Sequence, residues 1–591
     1  MNTNQKLASL RKVMKKDGIH GIIIPSSDPH QSEYVSAHWQ ERTWISGFTG
    51  SAGIVVVTAD HAGLWTDSRY FLQGEMQLKG SEMVLHKMYN QFASPYVDFL
   101  ASELPKGSKV AVNGMMFSKS TIESFYNTLS SAGIELLHRT DLISEVWLDR
   151  PPLSDAPVLF HEDKFSGKSI STKLSEIRAE MSQRNADYHL ITALDDFAWS
   201  LNVRGNDVDY NPVAIAYAVI GKSDSHVFIN QDKLSAPVKS QWAKNNIVLH
   251  DYVQIVGFLN KLPEKTSILV DPIICSQTLY EAINAQIVHG TSIPKGLKAI
   301  KNDTETKHLR SVMKKDGAAL ANTFYWLEQS LAEGTKIDEV TVAKKLAENR
   351  SHQKFYHGES FGAIIGYKDN GAVIHYHPEP ETCKTIDPEG ILLVDSGGQY
   401  SDGTTDITRT FALSTPTDEQ KKAYTLILKG MIALSRAKFP EGTTGAQLDT
   451  LARQFLWAEG MNYLHGTGHG VGFFLNVHEA PQGFGPVHSE RGRTVHLPGM
   501  LSSNEPGYYK DGEFGMRIEN LILAVKSDIP GFLEFDTYTL YPFDHVLIDK
   551  PRLTKDEISW INNYHKTSYA GIAPLLKGEV KEWFKNKCRK V

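Results

Sequence analysis

The sequence predicts an α/β and α+β protein with two N-terminal α/β domains and a longer C-terminal domain. The chain has 591 residues, which is too long for a single hydrophobic core. In its first two-thirds, segments of helical periodicity lead directly into short apolar runs, which is typical of α/β units. In its last part, strands rich in β-branched residues alternate with long helical stretches.

An internal repeat supports the two N-terminal domains. The segment "KLASLRKVM" at Lys6 has a weaker relative, "KLSEIRAEM", at Lys173, and both place apolar residues at helical spacing. Both helices lead into apolar runs, a tryptophan and glycine-containing turns. A further similarity exists between "LRKVMKKDG" at Leu10 and "LRSVMKKDG" at Leu309. Short helical patterns also recur by chance, so this last pair carries little weight alone. We interpret the first two segments as related domains.

Two breaks in the pattern predict the domain boundaries. The proline-rich stretch "DRPPLSDAPV" lies near residues 149–158, and the basic and then polar stretch "SIPKGLKAIKNDTE" lies near 292–305. The predicted domains are therefore 1–152, 153–302 and 303–591.

The C-terminal domain combines helices with strands. Residues 317–351 and 417–439 have the pattern of long helices, whereas "GILLVDSGGQY" and "TTDITRTFAL" have the pattern of strands.

The composition excludes several classes of function. Hydrophobic content is 41%, charged content 22% and net charge -6, so we expect no nucleic-acid surface and no membrane-binding basic patch. The three cysteines, Cys275, Cys383 and Cys588, have no metal-ligand spacing and suit no disulfide framework. The N-terminus lacks the apolar region of a secretory signal, and no apolar run is long enough to span a bilayer. We therefore expect a cytoplasmic protein.

Two aspartates mark a candidate site. In "ILLVDSGGQYSDGTTDITRTF", Asp395 ends an apolar strand and Asp406 begins the next. Two strands with a short turned connection predict a hairpin, which would bring both carboxylates to one end of the sheet. Aspartate is disfavoured inside strands, so a pair of them there calls for a reason.

Three further residues extend this candidate site. His469 lies in "HGTGHGVG", Glu505 in "SSNEPGYY", and Glu519 at the start of an apolar strand in "GMRIENLILAV". Four carboxylates that converge near apolar strands would repel one another and take up protons. Two divalent cations would balance their charge. Oxygen ligands with one imidazole favour Mn²⁺, although Zn²⁺ or Co²⁺ also fits.

Each of these residues also has an ordinary structural interpretation. A lone aspartate is usually a turn former, and a lone histidine in a glycine-rich loop usually makes only surface hydrogen bonds. The glycines of "HGTGHGVG" would suit a phosphate-binding loop only with a following helix and, as a rule, a nearby lysine. The following "FFLNVHEAP" looks extended and no lysine is near, which disfavours that interpretation.

Four motifs together resemble the signature segments of the pita-bread metallopeptidases. These are "DSGGQYSDGTTDITRT", "HGTGHGVGFFLNVHE", "NEPGYY" and "RIEN", in the same order and at similar separations. The whole chain is most similar to the three-domain Xaa-Pro aminopeptidases. "SGFTGSAG" and "LWTDSRYFLQ" resemble their first creatinase-like domain, and "LDDFAWSLNVRGNDVDYNPV" resembles their second. The resemblance implies two creatinase-like domains followed by a pita-bread catalytic domain.

The resemblance also implies a role for each metal ligand. Asp395 would bind one metal through both oxygens, whereas Asp406 and Glu519 would bridge the two metals. His469 and Glu505 would complete the shell of the other metal. Two such metals activate a bridging water at neutral pH, and the hydroxide would attack the first peptide carbonyl. Glu505 would also pass the proton from the water to the leaving nitrogen.

Other residues match the substrate site of the family. His375 in "AVIHYHP", His465 and His478 match three histidines that line it. Arg517 and Tyr509 match positions close to the metals. The glycines around His469 would let the backbone approach the site closely.

The implied activity is the release of the N-terminal residue from short peptides with proline at the second position. The resemblance also implies a homodimer. A prolidase and a methionine aminopeptidase share the five ligands, but the two N-terminal domains predicted here argue against both. A binding module that has lost its metals, or a creatinase-like amidinohydrolase, would lack some of these ligands, whereas all five are present.

Overall fold

The chain divides into two compact units in the computed structural model, which describes residues 1–90, 93–138 and 140–591. The first unit is Met1–Asp163 with Lys168–Gly296, and the second is Lys164–Gly167 with Leu297–Val591. The predicted boundaries at residues 152 and 302 stay predictions. Among the described helices, none has the length and apolar character needed to cross a membrane.

The first unit begins with a six-stranded mixed sheet in the order β4-β3-β2-β1-β5-β6. Strands β1–β2 and β2–β3 pair antiparallel, and the other neighbours pair parallel. As its periodicity predicts, helix α1 buries Leu7, Leu10 and Met14 in the core of this part. The elements are α1 Thr3–Asp17, β1 Gly21–Ile24, α2 Glu41–Ser46, β2 Ile54–Thr58, β3 Ala62–Asp67, α3 Phe71–Gln77, β4 Val84–Met88, α4 Pro95–Glu103, β5 Lys109–Ala111, α5 Lys119–Ser131 and β6 Glu135–Leu137.

A second six-stranded sheet follows in the order β12-β11-β10-β8-β13-β14. Its strands have the same sequential order and the same pattern of antiparallel and parallel pairs as the first sheet. This shared topology supports the interpretation of two related domains. The elements are β7 Leu159–Phe160, α6 Asp163–Ser166, α7 Ile170–Gln183, β8 Tyr188–Ile191, α8 Leu194–Ser200, β9 Val203–Arg204, β10 Ala216–Gly221, β11 Ser225–Ile229, α9 Ala236–Lys244, β12 Ile247–His250, α10 Ile255–Leu259, β13 Ser267–Val270, α11 Gln277–Glu281, β14 Gln286–His289 and α12 Ile293–Ala299.

From residue 303 onwards, the second unit combines long helices with antiparallel sheets. Two sheets build the candidate site, with the orders β17-β19-β22 and β23-β30-β29-β26-β24-β25. The elements are α13 Asp303–Ala332, β15 Ile337–Asp338, α14 Glu339–Ser351, β16 Tyr356–Glu359, β17 Ile364–Tyr367, β18 Thr385–Ile386, β19 Ile391–Ser396, β20 Gly398–Tyr400, β21 Gly403–Thr404, β22 Ile407–Ala412, α15 Asp418–Ser435, β23 Lys438–Pro440, α16 Gly445–Trp457, β24 Gly468–Gly470, β25 Glu479–Phe484, α17 Glu490–Arg493, β26 Leu501–Asn504, β27 Gly507–Lys510, β28 Phe514–Arg517, β29 Asn520–Lys526, β30 Phe532–Thr537, α18 Lys555–Ile572 and α19 Gly578–Lys587.

Strand β19 is buried on both faces. Leu392 and Val394 belong to one hydrophobic cluster, whereas Ile391 belongs to another. A strand that is covered on both sides reads as a continuous apolar run, as "ILLV" does. This burial places Asp395, at the end of the run, deep inside the protein.

The helical stretch predicted at residues 317–351 is two helices rather than one. Gly334 adopts a left-handed conformation (φ 74°) just after α13 ends. Asp338 then caps α14, since its side chain accepts a hydrogen bond from the backbone N–H of Thr341 at 2.7 Å. The stretch predicted at 417–439 contains α15, which ends at Ser435.

The shared hexapeptide "VMKKDG" has two different structures. After α1, Gly18 takes a left-handed conformation (φ 66°) and ends the helix. In α13, the equivalent Gly317 lies within the helix. A Cβ on Gly317 would lie 2.4 Å from Cδ1 of Ile572 and 2.8 Å from the carbonyl oxygen of Leu540. Packing against these residues favours glycine there, whereas backbone conformation favours it at Gly18.

Candidate metal centre

The predicted hairpin is present and brings two aspartates to one end of a sheet. Strands β19 and β22 pair antiparallel, with Asp395 opposite Thr408, and Asp406 directly precedes β22. The connection between the strands folds back tightly, because a Cβ on Gly397 would lie 1.9 Å from the carbonyl oxygen of Thr405. Only glycine permits this approach.

A second pair of strands delivers two glutamates to the same place. Strands β26 and β29 pair antiparallel with Asn504 opposite Asn520, so Glu505 and Glu519 leave the same end of this pair. The backbone N–H of Glu519 donates to the carbonyl oxygen of Thr408 at 3.1 Å. This hydrogen bond joins the two sheets, and the four carboxylates therefore meet where the sheets touch.

His469 enters the site from β24, next to β26. A Cβ on Gly468 would lie 2.0 Å from the carbonyl oxygen of Ser503, and one on Gly470 would lie 2.4 Å from that of Glu479. The alternating glycines therefore allow close approach of the backbone, as expected. Nδ1 of His469 lies 2.9 Å from the carbonyl oxygen of Gly470. Since a carbonyl only accepts, Nδ1 carries the proton, and Nε2 presents a lone pair to the carboxylates.

The side chains form a compact buried cluster. Ligand atoms of Asp406, His469 and Glu519 all lie within 4.8 Å of one another, and each residue is at most 4% exposed. Nε2 of His469 is 3.5 Å from Oδ2 of Asp406 and 3.4 Å from Oε1 of Glu505. Such a spacing suits side chains that share a cation.

The electrostatics of the cluster show an excess of negative charge. Burial, followed by the charges of Asp395 and Glu505, raises the pKa of Asp406 well above its usual range. Burial and the charge of Asp406 do the same to the pKa of Glu519. Burial also raises the pKa of Glu505 to about 7, although the nearby Arg517 opposes the shift. Without added positive charge, the cluster therefore favours protonated carboxyl groups.

The donor atoms of the cluster fit divalent cations. Within the described part of the chain, Oδ1 of Asp395 and Oε1 of Glu519 are buried and have no hydrogen-bond partner. Buried acceptors without a partner are rare, so both oxygens call for a ligand. Four carboxylates balance two divalent cations, and the predominance of oxygen donors suits Mn²⁺, Zn²⁺ or Co²⁺.

Arg517 links the cluster to Tyr509 and His465. Nη2 and Nε of Arg517 donate to Oδ2 of Asp395 at 2.5 and 3.1 Å, and Nη1 donates to the hydroxyl of Tyr509 at 2.5 Å. That hydroxyl lies 2.9 Å from Nε2 of His465, whose Nδ1 lies 2.8 Å from the carbonyl oxygen of Gly466. Nδ1 therefore donates to Gly466, and Nε2 accepts from Tyr509.

The other two predicted histidines also border the cluster. The ring of His478 lies edge-on to that of His469, with 4.3 Å between centroids. His375 lies in the loop after β17 and is half-buried. The carbonyl oxygen of the preceding Ile374 lies 3.5 Å from Nη2 of Arg517. The structure thus brings the loops of all three histidines to the carboxylates.

Thr408 was missed by the sequence analysis. Its hydroxyl donates to Oε2 of Glu519 at 2.8 Å and lies 3.3 Å from Nε of Arg517. Thr408 stands two positions after Asp406, and residues two apart in a strand share a face. The two-residue spacing from Asp406 could therefore have indicated Thr408 as a residue of the site from the sequence alone.

Ser503 was missed in the same way. Its hydroxyl accepts from the backbone N–H of His469 at 3.0 Å and donates to Oε1 of Glu505 at 3.2 Å. Ser503 lies on β26, and Glu505 follows it by two positions, just after the end of the strand. It therefore fixes both the strand that carries the histidine and the orientation of the glutamate.

The segment after the glycine-rich stretch differs from the expectation. Residues 473–478 form an irregular loop rather than an extended segment, and Phe474 has a positive φ of 49°. Strand β25 follows this loop. Since a strand rather than a helix comes next, the glycines do not form the phosphate-binding loop that a helix N-terminus would complete.

Comparisons with known proteins agree with this arrangement. Residues 6–146 and 149–305 each match the creatinase/prolidase N-terminal domain. Residues 307–526 match metallopeptidase family M24, and residues 531–591 match the C-terminal region of peptidase M24.

Individual relatives are similar over most or all of their length. A probable Xaa-Pro aminopeptidase P of Coprinopsis cinerea is 38% identical, over 99% of this chain and 98% of its own. Aminopeptidase P2 of Arabidopsis thaliana is 37% identical, over 99% and 88%. X-prolyl aminopeptidase from Caenorhabditis elegans, described as a cytosolic enzyme with a di-nuclear active site, has a TM-score of 0.95 and 33% identity over 100% of both chains.

Proposed function

The chain belongs to metallopeptidase family M24, and we infer that it is an Xaa-Pro aminopeptidase, which releases the first residue of peptides whose second residue is proline. The resemblance seen in the sequence and the predicted fold class, two creatinase-like domains followed by a pita-bread domain, are confirmed. The observation that carries this function is the convergence of four carboxylates and one imidazole, with buried oxygens that have no hydrogen-bond partner among the described residues.

Two divalent cations complete the centre. We propose that Asp395, Asp406, His469, Glu505 and Glu519 hold them, and that they are Mn²⁺. When bound, such a pair of cations polarises a carbonyl and lowers the pKa of a water towards neutrality. The orphan oxygens and the raised pKa values support this assignment, because both call for added positive charge.

Glu505 is the residue we propose for proton transfer. Its Oε1 accepts from Ser503 and lies 3.4 Å from Nε2 of His469, so the carboxylate is held at the centre of the cluster. A carboxylate in this position can take a proton from water and give it to the leaving nitrogen.

The three histidines are proposed to bind the peptide. His478 packs against His469, and the loop of His375 contacts Arg517, so both stand beside the metal ligands. Both nitrogens of His465 already have partners within the protein. We propose that His465 contacts substrate by exchanging its hydrogen bond to the carbonyl oxygen of Gly466, while Tyr509, which Arg517 holds, keeps its ring oriented.

The preference for proline has a physical rationale. Proline has no N–H and a fixed φ, so peptidases that bind substrate as an added strand lose a hydrogen bond at this residue. A dedicated site that holds the peptide at its N-terminus avoids this loss. The names of the relatives support this specificity.

We further propose that the protein is a cytoplasmic homodimer that acts on short peptides. The description of the Caenorhabditis elegans protein as cytosolic supports the location. Light scattering tests the oligomeric state, and a monomer mass would refute the dimer.

A comparison of three peptides tests the activity. Chelator-treated protein with Mn²⁺ added back is expected to release Arg from Arg-Pro-Pro much faster than from Arg-Ala-Ala or Arg-Pro. A preference for the dipeptide would instead indicate a prolidase. No turnover with Mn²⁺, Zn²⁺ or Co²⁺ would refute the enzyme and favour a binding module.

A further inference from the structure

A buried glutamate joins the two ends of the loop that carries His375. Glu339 is the first residue of α14, and it is completely buried. Its Oε1 accepts from the backbone N–H of Tyr367 at 2.8 Å, where the loop begins. Its Oε2 accepts from the backbone N–H of Lys384 at 2.8 Å, where the loop ends. One carboxylate therefore closes the loop.

The same carboxylate also binds the interior of the loop. Nδ2 of Asn370 donates to both oxygens of Glu339, at 3.0 and 2.9 Å. The hydroxyl of Tyr376 donates to Oε2 at 2.8 Å. Tyr376 directly follows His375, so one of the hydrogen bonds lies beside the histidine itself.

All four donors to Glu339 are neutral groups. Among the described residues, no lysine or arginine forms an ion pair with this carboxylate. Burying a charge costs free energy unless hydrogen bonds replace those to water, so each of these donors helps to stabilise the buried carboxylate. A fully satisfied buried network of this kind favours a single arrangement of the groups that compose it. The loop is consequently held in one conformation.

The loop also meets the surroundings of the metal centre. The carbonyl oxygen of Ile374 lies 3.5 Å from Nη2 of Arg517, the arginine that also binds Asp395. His375 therefore lies in a segment that is bound to Glu339 and that also contacts Arg517, the partner of a proposed metal ligand.

We propose that Glu339 is a positioning residue that holds His375 in place for the reaction, an inference that rests on the proposed aminopeptidase function. Among the described residues, the hydrogen bonds of the Glu339 carboxylate go to the loop and none goes to a proposed metal ligand. Glu339 acts through the loop, since a displacement of about 1 Å at a catalytic group can cost about 100-fold in rate.

Four substitutions test the proposal. Glu339→Gln keeps the shape of the side chain but replaces one carboxylate oxygen by an NH2 group, whose two N–H donors then face the donors of the loop. Tyr376→Phe removes only the hydrogen bond beside His375. His375→Asn removes the histidine. Glu381→Gln, an exposed glutamate of the same loop, is the matched control. Release of Arg from Arg-Pro-Pro is measured for each variant, together with bound metal.

The expected result is coupling between Glu339 and His375. Glu339→Gln should lower kcat/KM by about 10-fold or more, mainly through kcat, with metal content unchanged. In the His375→Asn background, the same substitution should have little further effect, because the group that it positions is gone. Tyr376→Phe should lower kcat/KM less, and this loss should likewise disappear in the His375→Asn background. Glu381→Gln should behave as wild type.

Other outcomes would overturn the proposal. Equal losses in the two backgrounds would mean that Glu339 supports only the general fold. Unchanged activity of Glu339→Gln, or of His375→Asn, would refute positioning while the aminopeptidase function stands. A wild-type protein that does not cleave Arg-Pro-Pro would refute the function itself. If Glu339→Gln does not fold, Tyr376→Phe decides the question by its coupling to His375.

Discussion

Arg517 donates two hydrogen bonds to one oxygen of Asp395, at 2.5 and 3.1 Å, and leaves the other oxygen for a different partner. Within the described residues, that second oxygen, Oδ1, has no hydrogen-bond partner. Arg517 thus orients the carboxylate and offsets part of its charge without using all of its acceptor capacity. The remaining acceptor is available to a cation, which supports the proposal that Asp395 is a metal ligand.

Arg517→Lys is expected to reduce activity although the charge is kept. A lysine cannot make the two-point contact with Asp395 and also reach Tyr509, as the planar guanidinium does. Loss of such an outer partner typically costs about 10–100-fold in metal affinity or activity. Metal titration and peptide kinetics measure the loss. Arg493→Lys, at an exposed arginine, is the control, and equal behaviour of the two variants would contradict the prediction.

Removal of the metals should make stability fall as pH rises. The pKa values of Asp406 and Glu519 are raised and that of Glu505 is about 7, because the groups are buried close together. Between the unfolded value, about 4, and about 7, the folded metal-free protein therefore holds more protons than the unfolded chain, so stability is present at low pH and is lost as pH rises.

Urea unfolding of metal-free and metal-loaded protein between about pH 5 and about pH 8 measures this effect. One pKa unit between the folded and unfolded states corresponds to about 1.4 kcal/mol, so the two curves should separate by a few kcal/mol at the higher pH. Other ionisable groups contribute similarly to both curves. Curves that stay parallel would show that the carboxylates do not repel one another.

Asp406→Asn should affect stability and activity in opposite directions. In metal-free protein, folding must either protonate the Asp406 carboxyl group or bury its charge beside other carboxylates, and Asn removes this cost, so the free energy of unfolding should increase. In the presence of Mn²⁺ the same variant should bind less metal and lose activity by about 100-fold or more, since a ligand is missing. Thermal unfolding, metal analysis and kinetics check the three effects. Asp511→Asn, at an exposed aspartate, should change none of them.

Gly468→Ala should disrupt the centre although no ligand is changed. The added Cβ would lie 2.0 Å from the carbonyl oxygen of Ser503, so β24 must move away from β26 and carry His469 with it. Overpacking of this kind costs about 1–3 kcal/mol or more. Unfolding measurements and metal affinity should both show the loss.

Gly257→Ala provides the control for this prediction. Gly257 lies in helix α10, and a Cβ there would meet no atom within 4 Å. Alanine in a helix is favoured over glycine by about 0.5–1 kcal/mol, so this variant should be as stable as wild type or slightly more so. Tolerance of alanine at both positions would refute the role assigned to Gly468.

Much of the candidate site was predictable because several of its proposed ligands lie at the ends of apolar strands. Asp395, Asp406 and Glu519 are charged residues at positions where a buried strand begins or ends, and a pattern of this kind is visible in the sequence. The hairpin that joins the two aspartates follows from the short connection between their strands. His469 and Glu505 are less distinctive among many other polar residues, and the family motifs supported their choice.

The contacts that hold these ligands were less accessible to prediction. Glu339 looks like an ordinary residue of the first helical turn, and only the tertiary structure brings Tyr367 and Lys384 to its carboxylate. The break between α13 and α14 was also missed, because periodic apolar residues continue on both sides of Gly334. Long-range packing decides such features, and local sequence does not encode it.

The common strand order of the two N-terminal sheets has an evolutionary consequence. Two sheets of six strands with the same strand order and the same directions of pairing would arise from duplication and fusion of one ancestral segment. After such a duplication only one copy need retain its ancestral contacts, so the other is free to diverge and acquire new ones. The weak similarity between the helices that begin near Lys6 and Lys173 is what such a duplication would leave in the sequence.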